Sequence, residues 1–436
     1  VLKLTAHLKP KMILPLRAGA GEAVRGLSRN FRFSVRAGLF LFLLVLLTSS
    51  STIASSGKAP EFVVAVGDVH GAFDSFKLIL RRTRLVDTED HWIGGSATLV
   101  QTGDLIDRGP QGREAMDLLM RLEKEASTAG GQVVPLLGNH EVMNILGDLR
   151  YVTPADYAAF ADGNSEKLRK AAYQEYAAWA ADHAKWLAAI RQPAMPSTEE
   201  EWMAAHPAGF VEYREAFSPD GKYGQWVRQH AALVQIGGVI FVHGGIPPNL
   251  TSLSLEQINS QVRQEIDEFD STMRDLVSRK VILPFFTIKE IVVAVQGQLL
   301  EEHTAQTPTD PAFHNRLVRL LDFNNWLCMR DEGPLWFRGY DSWSEEEGEQ
   351  QIQKILAACN ASHIVVAHTV QKPANIRSRY GARVFLIDTG MLSTYWPGGR
   401  ASALNIQKDG KITAEYIDGQ QVLFEEKHPA SAGNLN

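Results

Sequence analysis

Six short runs of mostly apolar residues punctuate the chain, and each breaks off at small or polar residues. They are EFVVAV (61–66), ATLVQT (97–102), QVVPLL (132–137), VIFVH (239–243), HIVVAH (363–368) and RVFLID (383–388). Near-continuous apolar runs of this length predict strands buried on both faces. Between several of them apolar residues recur at helical spacing, as in FDSFKLILRRTRL (73–85) and GREAMDLLMRLEKEA (112–126). Strand, polar loop and helix, repeated three times, predict an α/β domain. In such domains the chemistry gathers where strands end at their carboxyl side.

Two stretches interrupt this rhythm. Residues from about 154 to 218 are rich in Ala and Trp and have no strand pattern, while Tyr173, Tyr176, Ala180, Leu187 and Ile190 fall on one helical stripe. A second stretch, about 251–312, opens on SLEQ, a capping box from Ser254 to Gln257, followed by Ile258, Val262, Ile266, Phe269 and Met273 at helical spacing. Both read as mainly helical insertions in a domain spanning 61–417, which either pack against the domain or form a lid that shapes access to the site. The tail, 418–436, has little to bury and is expected to fray.

The first 60 residues differ from the rest. Basic residues from Lys3 to Arg36 face a single acid, Glu22, and the apolar run LFLFLLVLL (39–47) then leads into TSSSTIASS. This is the pattern of a targeting leader, secretory or organellar, and the run is shorter than the roughly 20 residues needed to span a bilayer. Delivery to an organelle or the secretory pathway is expected, with the leader contacting a membrane or import machinery.

Over 436 residues, 45% are hydrophobic and 22% charged, with a net charge of −6. An acidic balance without a basic run argues against nucleic acid as a partner. Two cysteines, Cys328 and Cys359, lie outside any CxxC pattern, so a zinc–thiolate site or a disulfide framework is not expected.

The chemistry lies in the breaks. GDVHG (67–71) follows the first run, GDLIDRG (103–109) the second, GNHE (138–141) the third, HGG (243–245) the fourth and AHT (367–369) the fifth. Any one of these alone reads as a glycine-rich turn. Together they offer Asp68, His70, Asp104, Asn139, His243 and His368. Oxygen and imidazole donors of this kind suit two first-row metal ions, Mn, Fe or Zn. Two ions about 3.5–4 Å apart need a bridging carboxylate, for which Asp104 is the natural choice. Seven other histidines, His91, His183, His206, His230, His303, His314 and His363, lack this setting and read as surface or satisfied core residues.

The ordered set GDVHG, GDLIDRG, GNHE, HGG and a last His resembles the PPP branch of the calcineurin-like metallophosphoesterases. GNHEVMNILGDLRYVTPADYAAF (138–160) and DEGPLWFRGY (331–340) are similar to the Shewanella-like protein phosphatases. The resemblance implies a metallophosphoesterase fold, two mixed β-sheets packed as a sandwich and flanked by helices. It implies one metal on Asp68, His70 and Asp104, and a second on Asp104, Asn139, His243 and His368. The implied reaction is hydrolysis of a phosphate monoester in one in-line step by a metal-bound water or hydroxide. His140 matches the general acid, Asp107 its orienting carboxylate, and Arg108 a bidentate clamp on phosphate oxygens. Arg338 in PLWFRG is the candidate second clamp, with Arg330 the alternative. The SAPNYC loop of eukaryotic Ser/Thr phosphatases is absent; TVQKPANIRSRYGARVFLIDTGM follows His368 instead. That departure leaves phosphotyrosine open beside phosphoserine and phosphothreonine in a phosphorylated protein or peptide substrate. The competing readings are a hydrolase of dinucleoside polyphosphates or other small phosphoesters, and an inactive phosphate-binding scaffold.

Overall fold

The structure is a computed structural model that describes residues 62–190, 195–305 and 310–425. The leader expectation for 1–60 and the last residues of the tail lie outside the described residues. Among the described residues, no helix is long and apolar enough to cross a membrane.

Eleven strands are described: β1 (Phe62–Val66), β2 (Thr98–Gln101), β3 (Gln132–Pro135), β4 (Leu233–Ile236), β5 (Val239–Val242), β6 (His363–Val366), β7 (Arg377–Arg379), β8 (Val384–Leu386), β9 (Ser402–Gln407), β10 (Ile412–Tyr416) and β11 (Gly419–Phe424). They form two mixed sheets, ordered β11-β10-β9-β1-β2-β3 and β4-β5-β6-β8-β7. In the first, β1, β2 and β3 run parallel, while β9 pairs antiparallel with β1. In the second, β5, β6 and β8 run parallel, with β4 and β7 antiparallel on the outside. All six predicted apolar runs contain strands, and the fold is the expected pair of mixed sheets flanked by helices.

Alternation along the strands builds two cores. Val63 and Ala65 of β1 join Val100, Phe241, Val365 and Phe385 in an apolar layer drawn from both sheets. Val64 and Val66 belong instead to the cluster that includes Phe76, Ile79 and Leu119 of the helices. Those helices are α1 (Phe73–Arg82) and α2 (Gly112–Thr128), close to the predicted spans. A third, α3 (Asn139–Leu146), starts inside GNHE and is entirely buried.

The tail expectation needs correcting. Residues 419–424 are not frayed: they form β11, which continues the first sheet by pairing antiparallel with β10. Polar residues interrupt β9 to β11, among them Asn405, Thr413, Glu415, Gln420 and Gln421; β10 is buried throughout, and only the edge strand β11 is largely exposed. A search for unbroken apolar runs passes over them.

Both interruptions of the strand pattern are helical where described. The first contains Pro154–Phe160, Ser165–Asp182, Ala184–Ile190, Glu199–Ala205 and Phe210–Ala216. The predicted stripe does not lie on one helix, because the chain breaks at His183, and its residues line a cavity of about 320 Å³. The second contains Leu255–Ser278 and Ile288–Ala305. Its capping box is present, Gln257 N–H donating to Ser254 Oγ at 3.1 Å and Ser254 N–H to Gln257 Oε1 at 2.8 Å. The two insertions meet where Trp179 Nε1 donates to the Val281 carbonyl and where His206 Nε2 lies 3.3 Å from Glu290 Oε1.

Candidate active site

Asp68 and His70 follow β1, Asp104 follows β2, Asn139 and His140 open α3 after β3, His243 follows β5 and His368 follows β6. To aim side chains inward from strand ends the backbone turns sharply. His70, Asp104, Asp107, Arg108 and His368 all have positive φ, between 48° and 68°. Non-glycine residues rarely adopt this region, and such strain concentrates at functional sites. Two glycines make room. A Cβ on Gly138 would sit 2.2 Å from Asp104 Oδ1, and one on Gly109 would sit 2.1 Å from the His70 carbonyl oxygen.

Asp104 lies at the centre of the cluster. Its Oδ2 is 3.6 Å from His70 Nε2, 3.8 Å from His140 Nε2 and 3.3 Å from His243 Nε2. Two groups of donor atoms converge within 4.8 Å of one another, His70 with Asp104 and His140, and Asp104 with His243 and His368. Asp104 is common to both. Asn139 joins the second, its Oδ1 2.9 Å from His243 Nε2, which is itself 3.1 Å from His368 Nδ1. Asp68 Oδ2 is 3.8 Å from His70 Nε2, while Asp68 Oδ1 accepts the His368 N–H at 3.1 Å. The six ligand candidates therefore form one buried cluster.

Backbone carbonyls set the ring orientations. His70 Nδ1 is 2.9 Å from the Ile106 oxygen and His243 Nδ1 is 2.9 Å from the Thr102 oxygen. Each ring thus turns its Nε2 lone pair toward Asp104. The Nε2 atoms of His140 and His368 are buried without a hydrogen-bond partner. A buried, unpartnered imidazole nitrogen beside converging carboxylates, as at His368, fits a cation site. The residues present fit divalent ions.

Charge within the cluster is unevenly held. Burial, then the carboxyls of Asp388 and Asp104, push Asp68 well above the usual carboxylate range. Burial acts on Asp104 in the same sense, but the imidazoles of His243 and His140 outweigh it and hold Asp104 well below that range. Burial and His140 hold His70 well below the ordinary imidazole value; burial, His243 and Arg338 do the same for His368. Both rings are therefore held neutral, each with a lone pair to offer a cation. His140 goes the other way: burial opposes its charge, yet Asp104 and the hydrogen-bonded Asp107 raise it. Its Nδ1 is 2.7 Å from Asp107 Oδ2, and neither side chain is exposed.

Arg108 flanks the cluster, its Nη1 2.8 Å from His70 Nε2. Its guanidinium carbon lies 5.2 Å from the Tyr151 ring centre and 4.9 Å from that of Tyr395. Arg338 also reaches the cluster, Nη1 donating to the His368 carbonyl at 2.9 Å and to Thr369 Oγ1 at 3.0 Å. Arg330, the alternative, has its Nε buried without a partner.

Sequence reasoning missed several residues. Glu141 accepts the N–H groups of Asp104 and Gly138 at 2.8 Å and of Leu105 at 2.9 Å, tying the Asp104 loop to the start of α3. Asp388, beyond the end of β8, places a buried carboxyl beside Asp68. Its signal was present, an acid closing an apolar run in the setting of the other ligands. Asn144 and Tyr151 lie inside the 138–160 stretch, yet as ordinary polar residues they carry no chemical signal of their own. His230, read as surface or satisfied core, is buried, and neither ring nitrogen has a partner.

The calcineurin-like phosphoesterase family profile matches residues 63–372. The chain is 25% identical over 332 residues to Shewanella-like protein phosphatase 1 of Plasmodium berghei, covering 76% of this chain and 67% of that protein. It is 32% identical over 224 residues to Shewanella-like protein phosphatase 2 of Arabidopsis thaliana, covering 49% and 53%. Among solved structures, the cold-active protein-tyrosine phosphatase of a psychrophilic Shewanella species superposes with a TM-score of 0.54 at 23% identity, covering 84% of this chain and 81% of the other. That likeness speaks for the fold.

Proposed function

This chain belongs to the calcineurin-like phosphoesterase family, and from that premise we propose that it is a phosphoprotein phosphatase with a two-metal centre. The observation that carries the reading is Asp104, one buried carboxylate close to His70 and converging with His243 and His368, with the His140–Asp107 pair beside it. Asp68, His70 and Asp104 would hold one ion; Asp104, Asn139, His243 and His368 would hold the other. Bound there, two divalent ions supply Lewis-acid charge to the phosphoryl group and acidify water.

The chain's own residues supply the rest. Arg108 and Arg338 grip phosphoryl oxygens, and a guanidinium does this in bidentate fashion. His140 Nε2 gives its proton to the leaving oxygen, while Asp107 on Nδ1 holds the ring and favours its charged form. Tyr151 packs against His140 with ring centres 4.9 Å apart, and with Tyr395 it flanks Arg108. An aromatic surround of this kind favours an aromatic phosphoester, so phosphotyrosine is the preferred residue type.

The test is to assay the full chain with added Mn²⁺ on phosphoserine, phosphothreonine and phosphotyrosine peptides and on diadenosine polyphosphates. Turnover of phosphotyrosine peptide in preference to the others is expected. Hydrolysis of the diadenosine compounds alone would assign a small-molecule phosphoesterase instead. Two bound metals with no turnover of any aryl phosphate would make the chain a binding scaffold.

A further inference from the structure

Asn144 sits one turn beyond His140 on α3, and its amide is shared between the acid pair and the first helical insertion. The amide nitrogen donates to both Asp107 oxygens at 3.0 Å and to the His140 carbonyl at 2.9 Å. Three acceptors around one end of an amide identify that end as the nitrogen. The oxygen then faces away, where it accepts the Tyr213 hydroxyl at 2.7 Å.

Tyr213 belongs to the insertion helix Phe210–Ala216 and is 2% exposed. Its ring is held edge-to-face by Tyr157 and Phe160, with centres 5.3 and 5.0 Å away. The next residue grips the same asparagine by its main chain. Arg214 Nη1 donates to the Asn144 carbonyl at 3.3 Å, and its Nη2 to the Phe286 carbonyl of the second insertion at 3.2 Å. The second insertion also touches the end of α3 directly, Ile288 N–H donating to the Gly147 carbonyl at 2.9 Å.

We propose that Tyr213, acting through Asn144, is a positioning residue for the acid pair, so that the insertion takes part in proton delivery as well as covering the fold. This rests on the reading of His140 as general acid. Asp107 orients the His140 ring only while its own carboxylate is held. With the phenol in place, the Asn144 oxygen is occupied and its nitrogen stays on Asp107. Without the phenol, a buried acceptor loses the Tyr213 donor and the amide is free to turn its oxygen toward the carboxylate. Two acceptors would then face each other, and the His140–Asp107 geometry would loosen. The six ligand candidates are not part of this chain of bonds.

The test is Tyr213→Phe in the full chain, with kcat and KM measured on aryl phosphates of graded leaving-group basicity alongside metal content and thermal melting. A kcat loss of about 10-fold on the most basic leaving group is expected, a fraction of the roughly 10²–10⁴ a general acid contributes. The loss should fade for leaving groups that need no proton, with KM and both metals unchanged. A loss equal across all leaving groups, or lost metal, would overturn the proposal and leave Tyr213 a packing residue. Asn144→Ala carries the same prediction with Tyr213 intact, should the phenylalanine variant fold poorly. In the Asn144→Ala background Tyr213→Phe should cost nothing further, and additive losses would also overturn the proposal. Wild-type protein inert on every aryl phosphate would instead sink the phosphatase reading itself.

Discussion

At the scale of single residues, two histidines show how burial and partners divide the same side chain into different tasks. His140 is fully buried yet paired with Asp107, and its pKa is raised. The variant His140→Asn is expected to keep both metals while losing about 10²–10⁴-fold in rate; metal analysis beside kinetics checks it, and a variant stripped of metal would make His140 a ligand instead. His230 is buried with no partner on either nitrogen and packs edge-to-face on Trp226, so burial holds it down to about 3. The sign follows from linkage. Above the ordinary value of 6.5 both folded and unfolded forms are neutral and stability is whole. As pH falls below that, only the unfolded chain takes up the proton, and stability drops by up to about 1.4 kcal/mol per pH unit until the folded ring titrates. Denaturant unfolding of wild type and His230→Leu between pH 7 and 4 should therefore show the wild type losing ground steadily. Parallel curves would mean that the ring is not held neutral.

At the scale of elements, the edge strand β11 carries a stability consequence that a frayed tail would not. It covers β10 with an antiparallel ladder from Tyr416↔Gly419 to Ile412↔Phe424, and Leu423 and Phe424 pack on the layer between the sheets. Truncation after Ile417 would expose the β10 edge and uncover that apolar surface. A fall in Tm of at least several degrees is expected, with association of the shortened chain through the bare edge. Thermal melting with light scattering checks both, and an unchanged Tm would show β11 to be dispensable. The helix α3 is the element on which the site most depends. It carries Asn139, His140 and Asn144, its first turn is tied to the Asp104 loop by Glu141, and its far end is gripped by Arg214. It escaped the sequence reading because eight wholly buried residues show no apolar stripe, only a motif with a polar beginning.

At the scale of the whole molecule, the fold gathers three acids, Asp68, Asp104 and Asp388, with His70, His140, His243 and His368 into one buried place. Such a collection is held together best by cations, so metal should stabilise the folded state by mass action. Chelation is expected to lower Tm and added Mn²⁺ to restore it, with about 2.7 kcal/mol of stabilisation at a hundredfold excess over Kd. A melt insensitive to both would mean that the cluster is stable as it stands and would weaken the two-metal reading. The insertions take part at this scale too. Trp179, His206 and Arg214 join them to each other and to α3.

The sequence by itself determined the parallel strands and the set of candidate ligands. Each ligand closes a buried apolar run, and a strand's end is a place that both hydrophobic pattern and turn chemistry mark locally. Asp68, His70, Asp104, Asn139, His243 and His368 were legible for that reason, and the resemblance attached His140, Asp107 and Arg108 to them. What only the tertiary structure decided is how distant segments close around that set. Tyr213 and Asn144 are 69 residues apart and Asp68 and His368 are 300 apart, and nothing in either neighbourhood announces the other. Contacts of that range are chosen by packing of the assembled layers, which no local pattern encodes. The hydrogen bond from Arg338 to the His368 carbonyl and the pairing of β11 with β10 are contacts of the same kind.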